Sequence, residues 1–184
     1  MTDPAILAPA ILTSADETPR ILTTRCGLRL EVVPATEHDG PALAQFFAQV
    51  SEEDRRFRFL AACAQVSRDQ LDLLLHPDHF RTESFLVFEP AYGDLVASAL
   101  LACDGKLDTA EIAVSVREDY RAHGIGWALV DLLAQEAQRR GVRRVISIES
   151  RENRAAIELE REKGFTPYPF EGDPTLVILA KTYR

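Results

Sequence analysis

A loop at residues 117–126 carries the clearest chemical signal in the sequence, because it holds Arg121, Gly124 and Gly126 directly before a stretch with helical periodicity. Helix N-termini present unpaired backbone N–H groups and a partial positive charge, and glycines let an anion approach the backbone without a Cβ clash. The pattern predicts a binding site for a pyrophosphate. A tight turn without a ligand is the alternative.

Other motifs for phosphate binding, hydrolysis and metal binding are absent. The chain has neither GxxxxGK(S/T) nor GxGxxG, which excludes a P-loop and a dinucleotide fingerprint, and it has neither GxSxG nor HExxH. His76 and His79 flank Asp78 with no further Cys or His nearby, so we predict no metal site.

The elements around the loop follow from the spacing of apolar residues. Alternation predicts a strand at 110–116, and an apolar stripe with a terminal glycine predicts a helix at 125–140. A buried strand is expected at 142–148, and Asn153 is expected to cap a helix that runs through Lys163.

Before the loop, two extended segments are predicted within 21–33. Three helical stretches follow, at 37–50, after Ser51 and after Ser67. Strands at 84–88 and 95–102 are expected to form an antiparallel meander with strand 110–116, and residues 176–181 form the last strand.

Composition bounds the class of protein. The chain has 184 residues, 46% hydrophobic and 27% charged, enough for a single domain, which we place at 21–184 after a flexible tail at 1–20. A net charge of −8 argues against nucleic acid or anionic membrane as partners. Without a long apolar run, a signal peptide or a disulfide pattern, we expect a soluble, cytoplasmic protein.

The motifs resemble those of a known family. Arg121-Ala-His-Gly124-Ile-Gly126 resembles the (Q/R)xxGx(G/A) acetyl-CoA loop of the Gcn5-related N-acetyltransferase (GNAT) superfamily, and residues 142–165, which end in Gly164-Phe165, are similar to its second half. The resemblance covers roughly residues 28–184. It implies an α/β fold with a mixed, mostly antiparallel sheet, flanking helices and a splayed parallel pair of strands, 110–116 and 142–148.

A narrower resemblance concerns the class of acceptor. Segments 24–30, 51–59 and 110–116 resemble the acetyltransferase domain of bacterial protein-lysine acetyltransferases. This implies direct transfer of an acetyl group from acetyl-CoA to a primary amine, with a protein lysine as the acceptor. A small amine as acceptor, or a non-catalytic module that senses acetyl-CoA, is the alternative.

The resemblance also implies which residues bind the coenzyme. The backbone of the strand, the loop and one asparagine are expected to contribute. The residues concerned are Val114, Val116, Arg121, Ala122, His123, Gly124, Ile125, Gly126 and Asn153. For Asn153 a helix cap alone is the competing interpretation, and both roles are compatible.

Glu111 is the general base that the resemblance implies. Strand alternation places Glu111, Ala113 and Ser115 on one face of the sheet. A carboxylate in a partly buried cleft has a raised pKa, which suits a base. An outward-facing glutamate or a structural ion pair is the alternative.

One position departs from the family pattern. Many members carry a tyrosine, the acid for the leaving thiolate, after the leucine that is Leu159 here, but this chain has Glu160. We expect Glu160 to be ionised near neutral pH unless it is buried, and we do not count it as catalytic. The proton donor stays open among five candidates: Ser115, Ser150, Tyr120, Tyr168 and solvent. Departure of the coenzyme A thiolate without a donor is the alternative.

Two further features have plain structural interpretations. Arg55, Arg56 and Arg58 are expected to form a solvated helix face with salt bridges. Trp127 is expected to pack against the loop rather than stack on an adenine.

Overall fold

One mixed sheet organises the part of the chain that the computed structural model describes, residues 19–61 and 65–183. Its strands are β1 (Arg20–Thr23), β2 (Arg29–Pro34), β3 (Thr82–Glu89), β4 (Asp94–Cys103), β5 (Thr109–Val116), β6 (Arg144–Ser150), β7 (Thr166–Pro169) and β8 (Leu176–Thr182). Their order across the sheet is β1-β2-β3-β4-β5-β6-β8-β7. Neighbours are antiparallel except β5 and β6, which confirms the predicted mixed sheet and its parallel pair.

Helices form where caps and periodicity predict them. They are α1 (Gly40–Gln49), α2 (Glu52–Phe59), α3 (Arg68–Leu75), α4 (Ile125–Arg139) and α5 (Arg154–Glu162). Ser51 Oγ accepts a hydrogen bond from the Asp54 N–H at 3.2 Å, and Ser67 accepts one from Gln70 at 3.2 Å, so both serines cap as expected.

Helices cover both faces of the sheet. On one face, Leu129 and Leu133 of α4 pack with the side chains of Ala97, Ala99 and Leu101 of β4. On the other face, side chains of α1 and α3 pack with Leu86 and Leu100. The alternation along β4 separates these two cores, as expected for a strand that is buried on both sides.

The parallel pair is short, and this opens the sheet. Only three residues of β5, Thr109 to Glu111, pair with β6, where their partners are Arg144 to Ile146. Beyond them the two strands separate, as the predicted splay requires. The facing backbone edges of 112–116 and 147–150 are therefore free to bind a ligand with amide groups.

Two elements differ from the sequence prediction. The strand predicted from Val142 begins at Arg144, because the N–H groups of Arg143 and Arg144 both donate to the Asp108 carbonyl before the ladder starts. Strand β7 was not predicted. It contains Pro167 and Pro169 and lies at the sheet edge, the position where a strand tolerates proline.

Most of the predicted tail, residues 1–18, and Cys63 lie outside the described residues. Arg20 already belongs to β1, and its guanidinium pairs with Glu136 of α4 at 3.1 Å. In the described ranges no helix combines the length and the hydropathy of a membrane span.

Candidate active site

A cleft of about 800 Å³ lies where β5 and β6 separate. It is bordered by α2, α5 and the loop before α4, and all ten predicted site residues line it. The structure therefore brings together the strand, loop and asparagine that are distant in the sequence.

The loop forms a concave turn of backbone N–H groups. Ala122 and Gly124 have positive φ angles of 60° and 77°, and Gly124 is the N-cap of α4. The first helical hydrogen bond runs from the Ala128 N–H to the Gly124 carbonyl at 3.1 Å, so the N–H groups of 125–127 precede the helical ladder. This arrangement suits an anion with several oxygens.

The turn between β1 and β2 supports this loop from behind, a contact that sequence analysis did not predict. A Cβ at Gly124 would lie 3.6 Å from the Arg25 backbone nitrogen. The Cys26 thiol donates to the His123 carbonyl at 3.0 Å, and the hydrogen bond with Thr24 lowers the pKa of Cys26. The loop thus rests on a fixed surface.

Helix α2 lies across the open side of the cleft, and its side chains form ion pairs with residues at both ends. Arg121 of the loop forms an ion pair with Asp54 and donates to Ser51 Oγ at 3.2 Å. Arg56 pairs with Glu152, just before α5, at 2.7 Å. The predicted phosphate-binding arginine is therefore already engaged by a carboxylate.

Asn153 caps α5, as predicted, and has a second partner. Its Oδ1 accepts from the Ala156 N–H at 3.3 Å, while its Nδ2 donates to Glu149 Oε2 at 2.8 Å. Glu149 was not singled out in the sequence. A carboxylate at the end of a buried strand, four residues before a capping asparagine, is the signal that points to it.

Three ionisable groups surround the opening between the strands. Glu111 is exposed to the cleft, and Arg58 of α2 lies close enough to Glu111 and Glu149 for both carboxylates to act on it. Burial lowers the pKa of Arg58 to about 10, and the two carboxylates oppose this. The expectation of a solvated face at 55–58 is thus wrong for Arg58, because α2 turns this side chain toward the cleft.

Two carboxyl groups on the other side of β6 have raised pKa values. Burial, and then the charge of Glu160, raises the pKa of Glu149 to about 8, against the hydrogen bond from Asn153 and the attraction of Arg58. Burial raises the pKa of Glu160 to about 7, although the Ser147 hydroxyl donates a hydrogen bond to it. Glu160 is only 4% exposed, so its carboxyl is not the ordinary ionised group that its sequence suggests.

The other candidate proton donors differ in whether they line the cleft. Tyr168 is 47% exposed and lies on the edge strand β7 near Arg144, and neither it nor Ser150 lines the cleft. Tyr120 lines the cleft beside Arg117, and burial raises the pKa of its hydroxyl. The Ser115 hydroxyl lines the cleft, is buried, and has no hydrogen-bond partner among the described residues.

Trp127 lies in the first turn of α4, at the edge of the cleft. Its ring is 3.7 Å from the Arg25 guanidinium carbon and 3.8 Å from Lys163 Nζ, and Lys163 forms an ion pair with Asp131. Trp127 therefore packs between cations beside the loop, an arrangement that brings positive charge to this end of the cleft.

The residues fit a coenzyme with phosphates and an amide-containing arm. The loop offers unpaired N–H groups and nearby cations, the separated strands offer free backbone edges, and Ser115 offers an orphaned buried hydroxyl. Within the described ranges no group of three or more His, Cys, Asp or Glu side chains could hold a metal ion.

The chain matches known proteins in sequence and in fold. The model of the acetyltransferase (GNAT) family matches residues 45–165. An acetyltransferase of Pseudomonas aeruginosa is 30% identical over 154 residues, which is 83% of either chain. The range matched by the family model covers the loop, both separated strands and α5.

Two solved structures share the fold. The GNAT domain of S. lividans PAT superposes with a TM-score of 0.83 at 22% identity, over 92% of this chain and 99% of that one. A cAMP-binding acyltransferase from Mycobacterium smegmatis superposes with a TM-score of 0.60 at 22% identity, over 91% of this chain. This chain spans only 48% of that second protein.

Proposed function

Because this chain belongs to the acetyltransferase (GNAT) family, we propose that it transfers an acetyl group directly from acetyl-CoA to the ε-amine of a protein lysine. One observation carries the proposal: the glycine loop before α4 and the carboxylate of Glu111 line the same cleft, at the point where β5 and β6 separate. An anion site and a proton acceptor thus meet where a linear substrate can lie between two strands.

The donor would lie along the cleft with its phosphates at the loop. The N–H groups of 125–127 and the Arg121 guanidinium would bind the pyrophosphate, once Arg121 leaves Asp54. The free edge of β5 at Val114 and Val116 would bind the pantetheine amides in a strand-like manner. Asn153 would hold the same arm while it caps α5.

Glu111 would take up the proton that the amine loses on attack. It faces the α2 side of the sheet and is exposed to the cleft, so an approaching lysine can reach it. Arg58 of α2 lies near Glu111 and lines the same cleft. A positioned general base of this kind contributes about 100-fold to 10,000-fold to the rate.

The charge around the opening supports a cationic acceptor. Several exposed carboxylates line the cleft without an ion pair that the structure records. They are Glu53, Glu111, Glu158 and Glu162. Such a rim attracts the lysine ammonium and discriminates against acidic acceptors.

The test begins with calorimetric titration of acetyl-CoA into the wild-type chain and into Gly124→Glu. Wild type should bind, and the variant should not, because a glutamate at φ 77° is strained and places negative charge in the anion site. Gly105→Glu is the matched control, since Gly105 has no heavy atom within 4 Å of its Cβ position and lies outside the cleft.

Turnover is then measured with a lysine peptide, the same peptide with acetylated lysine, and spermidine, each with a blocked N-terminus where one exists. Acetylation of the lysine peptide, seen as an increase in its mass, supports a protein lysine as the acceptor if spermidine is not acetylated or is acetylated far more slowly. Preference for spermidine would move the acceptor to small amines. Binding of acetyl-CoA without turnover on any amine would overturn the enzymatic proposal in favour of a sensor.

A further inference from the structure

Acetyl transfer from a thioester releases a sulfur that must gain a proton. We propose that Glu149 donates this proton and that Glu160 keeps Glu149 protonated, an inference that rests on the proposed function. The donor stays open from the sequence, and the carboxyl group of Glu149 lines the cleft where β5 and β6 separate.

Glu149 lies in the part of the cleft where the two strands have separated. Glu149 lies on β6, three residues beyond Ile146, the last residue that pairs with β5. It therefore lines the opened part of the cleft, where the thioester has to meet the amine.

Glu149 and Glu111 lie on opposite faces of the sheet. Glu111 is the register partner of Ile146, so alternation along β6 puts Ser147 and Glu149 on the opposite face from Glu111. The regular pairing of β6 with β8 shows that no bulge interrupts this alternation. A base and an acid on opposite faces of one opening suit an amine that enters from one side and a sulfur that leaves on the other.

A hydrogen bond holds one carboxyl oxygen of Glu149 in place. Asn153 Nδ2 donates to Oε2 at 2.8 Å and holds the side chain in place. Asn153 is itself fixed by its bond from the Ala156 N–H. The other oxygen, Oε1, has no partner that the structure records, and it is the atom that would carry the proton.

The charged groups around Glu149 favour its protonated form. From α5, Glu160 adds negative charge and raises the pKa of Glu149, and burial acts in the same direction. Arg58 of α2 has the opposite effect on the pKa of Glu149, but its guanidinium also interacts with Glu111 of β5. From β8, the register partner of Glu149 is the apolar Val177. Glu149, with a pKa of about 8, thus holds its proton at neutral pH.

Glu160 acts through Glu149 and is a positioning residue. It is buried behind β6, and Ser147 donates a hydrogen bond to it from the same strand face. Among the described residues it has no ion pair with a cation. The negative charge of ionised Glu160 therefore acts mainly on its neighbour Glu149.

The step balances in atoms and protons. The amine nitrogen bonds to the acyl carbon, its proton goes to the Glu111 carboxylate, the carbon–sulfur bond breaks, and the Glu149 O–H gives its proton to the sulfur. The products are an amide and a thiol. Glu111 then returns a proton to solvent, and Glu149 regains one from solvent.

The test uses the Glu149→Gln variant of the full chain, with Glu171→Gln as the matched control in an exposed loop outside the cleft. Glutamine keeps the bond from Asn153 but gives up no proton. We expect kcat to fall about 100-fold while the acetyl-CoA dissociation constant from calorimetry stays unchanged. In wild type, kcat should fall above pH 8, near the pKa of Glu149, and this alkaline fall should disappear in the variant.

Two further measurements separate catalysis from structure. Infrared spectra should show a carboxylic acid C=O band that titrates near pH 8 in wild type and is missing from Glu149→Gln. Glu160→Gln removes a negative neighbour, lowers the pKa of Glu149, and should move the alkaline fall of kcat to lower pH. A merely structural loss would not move it.

The possible failures are distinguishable. Wild-type turnover with an unchanged rate in Glu149→Gln would overturn the proton-donor assignment and leave the acetyltransferase proposal standing. Absence of the titrating infrared band would overturn it as well, whatever the rate. Absence of acetyl-CoA binding in wild type would instead contradict the proposed function itself.

Discussion

Asp54 of α2 forms an ion pair with Arg121 of the loop that precedes α4. The pair joins the helix beside the opening to the loop that we assign to the pyrophosphate. Phosphate and Asp54 must therefore compete for the same guanidinium, so the structure couples coenzyme binding to the attachment of α2.

Replacing Asp54 by asparagine should strengthen acetyl-CoA binding. The variant frees Arg121 and removes a negative charge near the phosphates. Both partners are partly exposed, so the gain should not exceed about 1 kcal/mol, roughly fivefold in the dissociation constant. Calorimetry at low and high salt measures it, and the gain should shrink at high salt.

Asp119→Asn is the matched control for this prediction. Asp119 pairs with Arg117 at 2.7 Å in the same loop but does not line the cleft. An equal gain in both variants would mean that net charge alone, and not competition for Arg121, determines the affinity.

Glu111→Gln should lower kcat by about 100-fold or more, because glutamine cannot accept the amine proton. Acetyl-CoA affinity should change little, since the loop and Asn153 are untouched. Steady-state rates on the lysine peptide and calorimetry test both parts. Glu31→Gln, on β2 outside the cleft, should leave both quantities unaltered, and a fully active Glu111→Gln would remove Glu111 as the base.

The single tryptophan should report coenzyme binding. The Arg25 guanidinium carbon lies 3.7 Å from the centre of the Trp127 ring, and phosphates at the loop would draw this cation away. Acetyl-CoA should therefore change the emission of Trp127 with the dissociation constant that calorimetry gives. Trp127→Phe serves as the silent control, and an unchanged emission on saturation would show that the ligand does not disturb this end of the cleft.

The stability of the protein should fall as pH rises through neutrality. Glu149 and Glu160 have pKa values of about 8 and about 7 in the folded chain, above the ordinary value of 4.5. As pH rises, the unfolded chain therefore loses these protons at lower pH than the folded chain does. The free energy of unfolding is highest below the pKa of the unfolded chain and decreases as pH rises through the pKa values of the folded chain. The slope is at most about 1.4 kcal/mol per pH unit for each carboxyl group.

Urea unfolding from about pH 5 to about pH 8 measures this fall. Glu149→Gln and Glu160→Gln should each flatten it, while Glu171→Gln should keep the wild-type slope. Burial raises the pKa of Glu136, but hydrogen bonds and charges from Arg20, Arg139 and Arg140 outweigh this effect, and the pKa is lowered. Glu136 therefore changes the free energy of unfolding only at lower pH. A pH-independent unfolding free energy would contradict the burial of the two carboxyl groups.

Local sequence signals were sufficient for most elements of the fold. Ser51, Ser67 and Asn153 cap their helices through hydrogen bonds to residues three positions away, and such short-range pairs are visible in the sequence. Strand β7 escaped prediction because its prolines oppose strand formation, and its pairing with β8 is a tertiary contact that the sequence does not show.

The sequence by itself determined the residues of the glycine loop, the helix that it caps and the meander before it, because periodicity and capping act over a few neighbouring positions. Only the tertiary structure decided what surrounds the reacting groups. Arg58 turns toward Glu111, Asp54 engages Arg121, and Glu160 is buried behind β6 beside Glu149. The pKa of a carboxyl group depends on burial and on charges that arrive from distant parts of the chain, and no local pattern encodes these.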